Sequence, residues 1–475
     1  MPPSTLTIRN LTSTPLELKT VERYGVPKIE SRGFFNVTQN LTALIGNSTA
    51  PSPVQLAEHS KSFTQEDVSV RIEPFTVAQT DVNTVERSPK DILRLTFEHD
   101  GQRYRIDARS SKESVEFTPM TPDPKARYTG VWIDSESFLA IYSSSNLNCW
   151  MKEMSDATPL SGLSIPGTHN SPTHHKALPS VRCQAVSPKE QLANGVRFFD
   201  IRVQPEKPED PTNASLILVH GVFPISLTGP KYLRKLVDDI LHFLSENPSE
   251  TLIMSLKREG TGSATDEQLS QILRTHYTGD DKAHWYTEPR VPSLGEARGK
   301  IVLMRRFALA EDQKREWDGR GWCLDAQNWA DNTACDTHGS VCVQDFYEVL
   351  ETENIDKKIT LCCDHLERAG DQVCPVPGVT CDAVNPVPAG PLYLNFLSAS
   401  NFWKVGCWPD KIAAKINPHV VDFLCTKHKA GQGEKGDGGV GIVICDWVGN
   451  QGDWDLVRCI VGMNARLEMI EKGQH

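Results

Sequence analysis

The first 142 residues alternate apolar and polar positions in short stretches. The apolar positions spaced two apart are Leu6 and Ile8; Val68, Val70 and Ile72; Leu93, Leu95 and Phe97; Tyr104 and Ile106; and Val115 and Phe117. Clusters of Pro, Ser, Asn and Asp separate these stretches. A period of two is typical of strands with one buried face, so residues 1–142 are predicted to form antiparallel strands in a small β-sandwich.

After a predicted linker at residues 143–158, residues 159–475 alternate short apolar runs with helical patterns. The predicted strands cover residues 163–165, 196–203, 216–219, 252–256, 301–304, 392–396 and 440–445. Helices are predicted over residues 230–247 and from the capping-box sequence at 265–268 to about His276. Strands that alternate with helices over this length predict a parallel sheet closed into a distorted (β/α) TIM-type barrel.

Composition and charge exclude several classes of protein. The chain has 475 residues, 39% of them hydrophobic and 23% charged, which is ordinary for a globular protein. Its 50 Lys and Arg against 61 Asp and Glu give a net charge of -11, so we expect no nucleic-acid partner. No stretch approaches the ~20 apolar residues of a transmembrane helix, and the amino terminus has no apolar signal-peptide region. We therefore expect a soluble protein and a monomer, and a cytoplasmic location is favoured.

The cysteines leave the location open. Seven of the 13 cysteines fall within residues 323–381, yet none has the paired C-x2-C spacing of a structural zinc site. They suit either a reduced cytosolic protein or a loop-rich segment with disulfides in an exported one. Glycosylation triplets favour export, although such triplets also arise by chance; they lie at Asn10, Asn36, Asn40, Asn47 and Asn213.

Polar residues capable of chemistry stand at the ends of the predicted strands. In a parallel barrel the carboxyl ends of the strands meet on one side, so these side chains are expected to face one site. They are His169 and Asn170, Asp200 and Arg202, His220, Lys257 and Glu259, Arg306, and Asp446.

This set suits the cleavage of a phosphodiester by a neighbouring hydroxyl group. Such a reaction needs a base for the hydroxyl proton, an acid for the leaving oxygen and a cation over the phosphoryl oxygens. Histidine suits both proton transfers near neutral pH, and His169 and His220 each follow an apolar run beside a glycine. A carboxylate such as Asp446 would fix the tautomer of one imidazole, and Arg202 could bind phosphate oxygens.

Two of the pairs also have structural explanations. Asp200 and Arg202 alternate on one strand and could form a buried ion pair without a catalytic role. Lys257 and Glu259 could mark the solvated end of their strand.

Several motifs resemble the X domain of phosphatidylinositol-specific phospholipase C, in the order in which that family carries them. They are Leu163-Ser-Ile-Pro-Gly-Thr-His169-Asn-Ser, Val196-Arg-Phe-Phe-Asp200-Ile-Arg202, Val219-His220-Gly and Asn247-Pro-Ser-Glu-Thr-Leu-Ile-Met-Ser-Leu-Lys257. Fragments around Arg306, Asp345, Asn395 and Asp446 fit as well. The resemblance covers about residues 155–450 and is nearest to the bacterial, metal-independent branch.

The resemblance implies a distorted barrel and a role for each residue. His169 would be the general base on the inositol 2-hydroxyl, oriented by Asp446, and His220 the general acid toward the diacylglycerol oxygen. Arg202 would stabilise the phosphoryl charge, with Asp200 positioning the neighbouring cations. Residues that would bind the inositol ring are Lys257, Arg306, Asp345 and Tyr347. The products would be diacylglycerol and inositol 1,2-cyclic phosphate.

Asn170 departs from the bacterial pattern, which has aspartate directly after the base histidine. Calcium-dependent relatives carry asparagine there as a metal ligand, but they have carboxylates where this chain has Arg202 and Lys257. Two cations would repel Ca²⁺ and substitute for its charge, so we expect neither a metal nor a cofactor. We expect the absence of the carboxylate at residue 170 to weaken support for Arg202 or for a protonated His220 and to lower the rate.

The expected partner is a phosphoinositide or a glycosylated phosphatidylinositol in a membrane that the protein contacts transiently. Tryptophans that could lie at a headgroup boundary, or equally in the core, are Trp317, Trp322, Trp329, Trp403 and Trp408. Two other functions stay open. One is a metal-dependent phosphodiesterase for glycerophosphodiesters or sphingolipids on the same barrel. The other is a non-catalytic phosphoinositide-binding module.

Overall fold

The computed structural model describes residues 5–25, 61–84, 91–108, 114–210, 212–429 and 436–473. The chain forms two compact units. Unit 1 comprises Met1–Ser144 with Gly449–Asp455, and unit 2 comprises Ser145–Val448 with Leu456–His475. The glycosylation triplets at Asn36, Asn40 and Asn47 lie outside the described residues. Asn10 is fully buried, and its amide donates hydrogen bonds to the backbone oxygens of Thr14 and Ile72.

Unit 1 is built from two five-stranded sheets. One has the strand order β4-β1-β10-β9-β7 and the other β3-β2-β5-β6-β8. The strands are β1 (Thr5–Leu11), β2 (Leu16–Tyr24), β3 (Thr64–Ile72), β4 (Val77–Asn83), β5 (Ile92–His99), β6 (Gln102–Ala108), β7 (Val115–Glu116), β8 (Thr118–Pro119), β9 (Tyr128–Ile133) and β10 (Phe138–Ser143).

The alternating residues of both sheets of unit 1 contribute to one hydrophobic cluster. Ile8 and Leu139 enter it from the first sheet, and Leu18 and Phe97 from the second. The prediction that all strands are antiparallel is wrong for one pair, because β1 and β10 run parallel. Their separation in sequence is long enough to allow the crossover that a parallel pair requires.

Unit 2 is a mixed α/β fold around a curled, mostly parallel sheet. Eight parallel strands follow one another in the order β16-β17-β15-β12-β11-β22-β21-β20. The strands are β11 (Ile165–Thr168), β12 (Phe198–Pro205), β13 (Leu216–His220), β14 (Phe223–Pro224), β15 (Leu252–Arg258), β16 (Trp285–Tyr286), β17 (Ile301–Arg306), β18 (Leu324–Asp325), β19 (Asp336–His338), β20 (Val341–Gln344), β21 (Leu392–Phe396) and β22 (Ile442–Cys445).

Helices accompany this sheet. The α-helices are α1 (Pro188–Ala193), α2 (Leu233–Glu246), α3 (Asp266–Leu273), α4 (Leu294–Ala297), α5 (Glu311–Lys314), α6 (Glu316–Gly319), α7 (Asn354–Gly370), α8 (Pro409–Thr426), α9 (Asp455–Gly462) and α10 (Ala465–Glu471). Short 3-10 turns cover Asp134–Glu136, Trp150–Glu153, Leu160–Gly162, Val405–Cys407 and Asn450–Gly452, and a π turn covers Arg274–Thr278. Among the described residues, none of the helices combines the length and apolar character needed to cross a bilayer.

The predicted strand at residues 216–219 exists, but it is not a parallel member of the sheet. β13 runs antiparallel to β12 and continues into a hairpin with β14. The reason is the short connection from Pro205 to Leu216, which is too short for the crossover helix of a parallel pair. Extending the pairing of Val203 with Leu218 brings His220 level with Ile201, beside Arg202.

Residues 145–158, predicted as a linker, lie in unit 2. They include the 3-10 turn Trp150–Glu153, whose Trp150 and Met151 are buried. The indole nitrogen of Trp150 donates a hydrogen bond to the Gly195 oxygen, so this segment packs against the body of unit 2.

Candidate active site

His169 directly follows β11 and is held at both ring nitrogens. Its Nδ1 lies 3.0 Å from Oδ1 of Asp446, which directly follows the neighbouring strand β22. A carboxylate accepts, so Nδ1 carries the proton and Nε2 keeps its lone pair. Consistent with this tautomer, Nη2 of Arg202 donates to Nε2 at 3.0 Å. His169 is therefore prepared to act as a base at Nε2.

His220, at the end of β13, lies beside His169. The two ring centroids are 5.7 Å apart and the ring planes are nearly perpendicular, at 88°. Nδ1 of His220 donates to the backbone oxygen of Val181 at 2.8 Å, which leaves Nε2 to take up and release a proton. Burial, assisted by Arg202 and His169, lowers the pKa of His220 to about 3, so the ring is neutral near pH 7.

Arg202 lies in β12 and connects the histidine to two carboxylates. Its Nη2 contacts Oδ2 of Asp200 at 3.2 Å, and its Nη1 contacts Oε1 of Glu259 at 3.0 Å. Burial alone would lower the pKa of Arg202, but Asp200 and Glu259 raise it above its usual value. The guanidinium is thus permanently charged, and in the free protein these two carboxylates hold it beside His169.

Asp200 is fully buried between two arginines. Oδ2 accepts from Arg202 and from the backbone N–H of Asn170, and Oδ1 lies 3.4 Å from Nη1 of Arg306. Burial would raise the pKa of Asp200, yet the two arginines and His169 hold it below its usual value. The carboxylate stays ionised and orders the cations around it.

Burial is also the largest influence on the pKa of Asp446. It raises the pKa of Asp446 above its usual value, while His169 and Arg202 oppose the rise. Oδ2 of Asp446 is buried and has no hydrogen-bond partner among the described residues. Among the described residues, His169 is therefore the side-chain hydrogen-bond partner of the Asp446 carboxylate.

Asn170 is buried next to the base, with a positive φ of 42°. Asparagine tolerates this left-handed conformation better than most residues. Its Nδ2 lies 3.3 Å from Nε2 of His169, and its buried Oδ1 has no partner in the part of the chain that the structure describes. Asn170 therefore contributes a backbone donor to Asp200 and an amide beside the base.

The residues predicted to bind the inositol ring surround this cluster. Nζ of Lys257 lies 3.2 Å from Oε1 of Glu259, and the lysine side chain is 39% exposed. Arg306 stacks its guanidinium 3.9 Å above the centre of the Trp329 ring, and the indole N–H of Trp329 donates to Asp345 at 3.3 Å. The hydroxyl of Tyr347 instead donates to Oδ2 of Asp331 at 2.9 Å.

Three neighbours of the site were given no role from the sequence, although Glu259 was among the residues expected to face it. Glu259 accepts from Arg202 and, at 2.7 Å, from the N–H of Gly221 beside His220; its alternation with Lys257 was the available signal. Gln184 donates to the backbone oxygen of His169 at 2.7 Å. The Sγ of Cys183 lies 3.7 Å from Nδ1 of His220. Gln184 and Cys183 lie in a loop without a motif, so nothing in the sequence marks them.

Two imidazoles and a guanidinium thus lie together at one end of a parallel α/β sheet, an arrangement that can support acid–base chemistry on a phosphodiester. The chain was compared with known proteins. Residues 157–307 match the model of the family "Phosphatidylinositol-specific phospholipase C, X domain". Over these residues the chain is similar to that family.

Two relatives with similar sequences are bacterial proteins. A 1-phosphatidylinositol phosphodiesterase of Listeria monocytogenes is 34% identical over 167 residues, which cover 33% of this chain and 47% of that relative. The match thus spans about half the length of the Listeria protein. The protein of the same name from Staphylococcus aureus is 27% identical over 297 residues, or 60% of this chain and 85% of its own.

Solved structures show the same likeness. A double mutant of the S. aureus phosphatidylinositol-specific phospholipase C superposes with a TM-score of 0.52 at 25% identity, covering 67% of this chain and 98% of that one. Another S. aureus structure, from work on the modulation of membrane binding by that enzyme, has a TM-score of 0.50 at 25% identity; it covers 67% of this chain and 97% of that one.

Proposed function

We propose that this protein cleaves phosphatidylinositol-type lipids by attack of the inositol 2-hydroxyl on the phosphorus atom, giving diacylglycerol and inositol 1,2-cyclic phosphate. One observation carries the proposal. The rings of His169 and His220 lie 5.7 Å apart, and the Arg202 guanidinium lies 3.0 Å from Nε2 of His169. This arrangement leaves a phosphate group within reach of a base, an acid and a cation at once.

His169 is the base in this proposal. Its Nε2 takes the proton of the 2-hydroxyl, and Asp446 at Nδ1 stabilises the imidazolium that forms. In the free protein the same lone pair accepts from Arg202. Substrate binding must therefore shift that guanidinium from Nε2 to a phosphate oxygen. This shift frees the lone pair of Nε2 and places the positive charge of Arg202 beside the phosphate.

His220 is the acid, and its low pKa in the free protein requires an explanation. Burial is the largest cause of that low pKa, and the charges of Arg202 and His169 lower the pKa of His220 further, to about 3. A bound phosphodiester adds a negative charge beside the ring and neutralises the Arg202 cation, so the pKa of His220 rises. The proton at Nε2 is then available to the departing glycerol oxygen.

Arg202 supplies the positive charge that a divalent ion supplies in metal-dependent phosphodiesterases. It forms ion pairs with Asp200 and Glu259, and Arg306 reaches Asp200 from another strand. These cations engage the carboxylates that an oxygen-preferring metal would need as ligands. The chemistry of the donor set therefore favours a metal-independent reaction over the metal-dependent alternative.

A substrate analogue tests the proposal. With EDTA present, we expect release of diacylglycerol from phosphatidylinositol but none from the matched lipid whose inositol 2-hydroxyl is methylated. The methyl ether presents the same phosphate and headgroup but has no proton for His169 and cannot form the cyclic product. Cleavage of the methylated lipid, or of sphingomyelin, would support the metal-dependent alternative or another hydrolytic route instead.

For the architecture, we propose that the curled sheet of unit 2 is the distorted TIM-type barrel of the catalytic domain, residues 159–475. The eight-strand parallel order and the likeness to the S. aureus enzyme support this. We also propose that the two sheets of unit 1, which share one hydrophobic cluster, form a sandwich that serves as an accessory domain.

We further propose that an apolar patch beside His220 contacts the membrane. This rim patch comprises Val222 and Phe223 in the β13–β14 hairpin and Phe402, Trp403 and Val405 in the segment before α8. Phe223 and Phe402 stack with ring centroids 5.3 Å apart, which joins the two segments. Trp403 is 89% exposed, whereas Trp322 is buried in the core. An exposed indole and exposed aliphatic side chains suit a headgroup boundary.

Replacing Trp403 with alanine tests the rim patch. We expect activity on phosphatidylinositol vesicles to fall by roughly 10- to 100-fold, since inserting such a side chain into lipid is worth on the order of 1.5–3 kcal/mol. Activity on a water-soluble inositol phosphodiester should stay within a factor of about two, because the described contacts of Trp403 are with Phe402 and Asn401. Trp317→Ala, at an exposed indole on α6, is the control; equal losses in both variants would remove the patch assignment.

A further inference from the structure

A second cluster of ligand side chains lies outside the proposed active site. Cys335 directly precedes β19, Cys342 lies in β20, and His365 lies in α7. One ligand atom from each of the three lies within 4.8 Å of the other two. The two sulfur atoms are 4.0 Å apart. The hairpin and the helix thus bring together three soft ligands that are far apart in sequence.

The distances match a tetrahedral metal site. With zinc–sulfur bonds of ~2.3 Å, two thiolates on one tetrahedral ion are separated by about 3.8 Å. A disulfide would instead require the sulfur atoms to approach to ~2.05 Å. The observed separation therefore needs almost no adjustment for a metal and a large one for a disulfide.

The histidine gives an independent indication of a missing ligand. His365 is 1% exposed, and its Nε2 is buried without a hydrogen-bond partner among the described residues. Burial of an unpaired imidazole nitrogen is costly, and metal coordination would satisfy it. The ring has two other polar contacts: its Nδ1 lies 3.4 Å from Nη1 of Arg368, and the ring interacts with the backbone of Cys342, which carries one of the two thiols.

We propose that Cys335, Cys342 and His365 bind a Zn²⁺ ion, with a water molecule as the fourth ligand. Zinc is the common ion for a mixed thiolate and imidazole site. The exposed position of Cys335 leaves the fourth coordination position accessible to solvent. Both thiols release their protons on binding, so two protons leave for each ion bound. The ring proton of His365 then resides on Nδ1, and the Arg368 guanidinium turns away from it.

The site would brace the part of the sheet that carries a predicted substrate ligand. Asp345 directly follows β20, the strand that contains Cys342. An ion held by the hairpin and α7 fixes this strand end against the helix. The ion has a structural role here, and it is separate from the metal-independent chemistry proposed for the histidine pair.

The other ligand cluster of similar size is less suited to a metal. His169, Cys183 and His220 also lie within 4.8 Å of one another. However, Asp446 binds Nδ1 of His169, and the Arg202 guanidinium occupies the space at Nε2. A cation at that position would repel a second one.

Cobalt substitution of the full-length, reduced protein tests the site directly. After removal of metal, titration with Co²⁺ should give the thiolate-to-cobalt absorption of a tetrahedral site, saturating at one ion per chain. Zn²⁺ should displace the cobalt and raise the melting temperature. The absorption should disappear in Cys335→Ser, whose side chain is exposed and whose replacement should not disturb folding, and in His365→Ala. Cys381→Ser, in the same cysteine-rich stretch, is the matched control and should bind as wild type does.

Three results would overturn the proposal. One is the absence of cobalt and zinc binding by the reduced wild-type protein. Another is undiminished binding in Cys335→Ser, which would locate the ion elsewhere, including at the histidine pair. The third is a Cys335–Cys342 disulfide found by mass spectrometry in a protein whose reduced form binds no zinc. Lipid cleavage is measured separately, so failure of the zinc site leaves the proposed function untouched.

Discussion

Replacing His220 with alanine should lower kcat for phosphatidylinositol by roughly 10²–10⁴-fold, the usual contribution of a general acid. The loss should nearly vanish on an inositol phosphodiester with a p-nitrophenolate leaving group. An alkoxide must be protonated as it departs, whereas a nitrophenolate departs as an anion. His169→Ala should lose activity on both substrates, because its role at the 2-hydroxyl does not depend on the leaving group.

The dependence of the loss on the leaving group thus distinguishes the general acid from the general base, and the absolute rates are not needed for this distinction. His284→Ala is the matched control, since that histidine is exposed and pairs with Asp281 on the surface. Equal losses in His220→Ala on both substrates would contradict the assignment of His220 as the acid. Retained activity in His169→Ala would contradict the assignment of the base.

Arg202→Lys should lower kcat by about 10²–10³-fold, the range found when a preorganised donor to a developing oxyanion is removed. Lysine keeps the charge but not the planar fork that reaches Asp200, Glu259 and His169 from three nitrogens. A single ammonium cannot maintain these contacts and also bind two phosphate oxygens.

The control for Arg202→Lys is Arg258→Lys in the adjacent strand β15, where the arginine pairs with Asp266 away from the histidines. Its kcat should stay within about twofold of wild type, and both variants should melt cooperatively. A kcat for Arg202→Lys equal to that of wild type would show that the geometry of the guanidinium does not matter, which the account does not permit.

The sequence predicts the elements that carry a clear apolar pattern. The strands β11, β12, β15, β17, β21 and β22 all overlap the predicted ones, and α2 and the capping box of α3 lie where the pattern places them. The structure brings His169, His220, Arg202, Asp200 and Asp446 together at one end of this sheet. These residues could be identified from the sequence because each lies in or directly after an apolar run that predicts a buried strand.

Other elements escape sequence analysis for physical reasons. α7 buries Lys358, Cys362 and His365 on its inner face, so polar residues occupy positions where an apolar stripe is expected. Nζ of Lys358 donates to Gln344, so buried polar contacts are mixed with the apolar side chains of Ile355 and Leu366 on this face. α8 contains Pro418 in its interior, which normally indicates a helix end.

The cluster of Cys335, Cys342 and His365 also could not be identified from local sequence patterns. The spacing of Cys335, Cys342 and His365 matches no zinc motif, because the ligands meet through the pairing of a hairpin with a helix from another part of the chain. The direction of β13 is likewise set by the length of a loop rather than by any apolar pattern. Such long-range pairings determine sites that no local spacing reveals.

The most direct test of the central claim is phosphorus NMR of the purified protein with phosphatidylinositol micelles in excess EDTA. We expect the lipid phosphodiester signal to be replaced by that of a five-membered cyclic phosphate, at the same rate with EDTA as without it. It would be contradicted by an unchanged lipid signal that decays only after a divalent ion is supplied, or by a linear phosphate formed with no cyclic species before it.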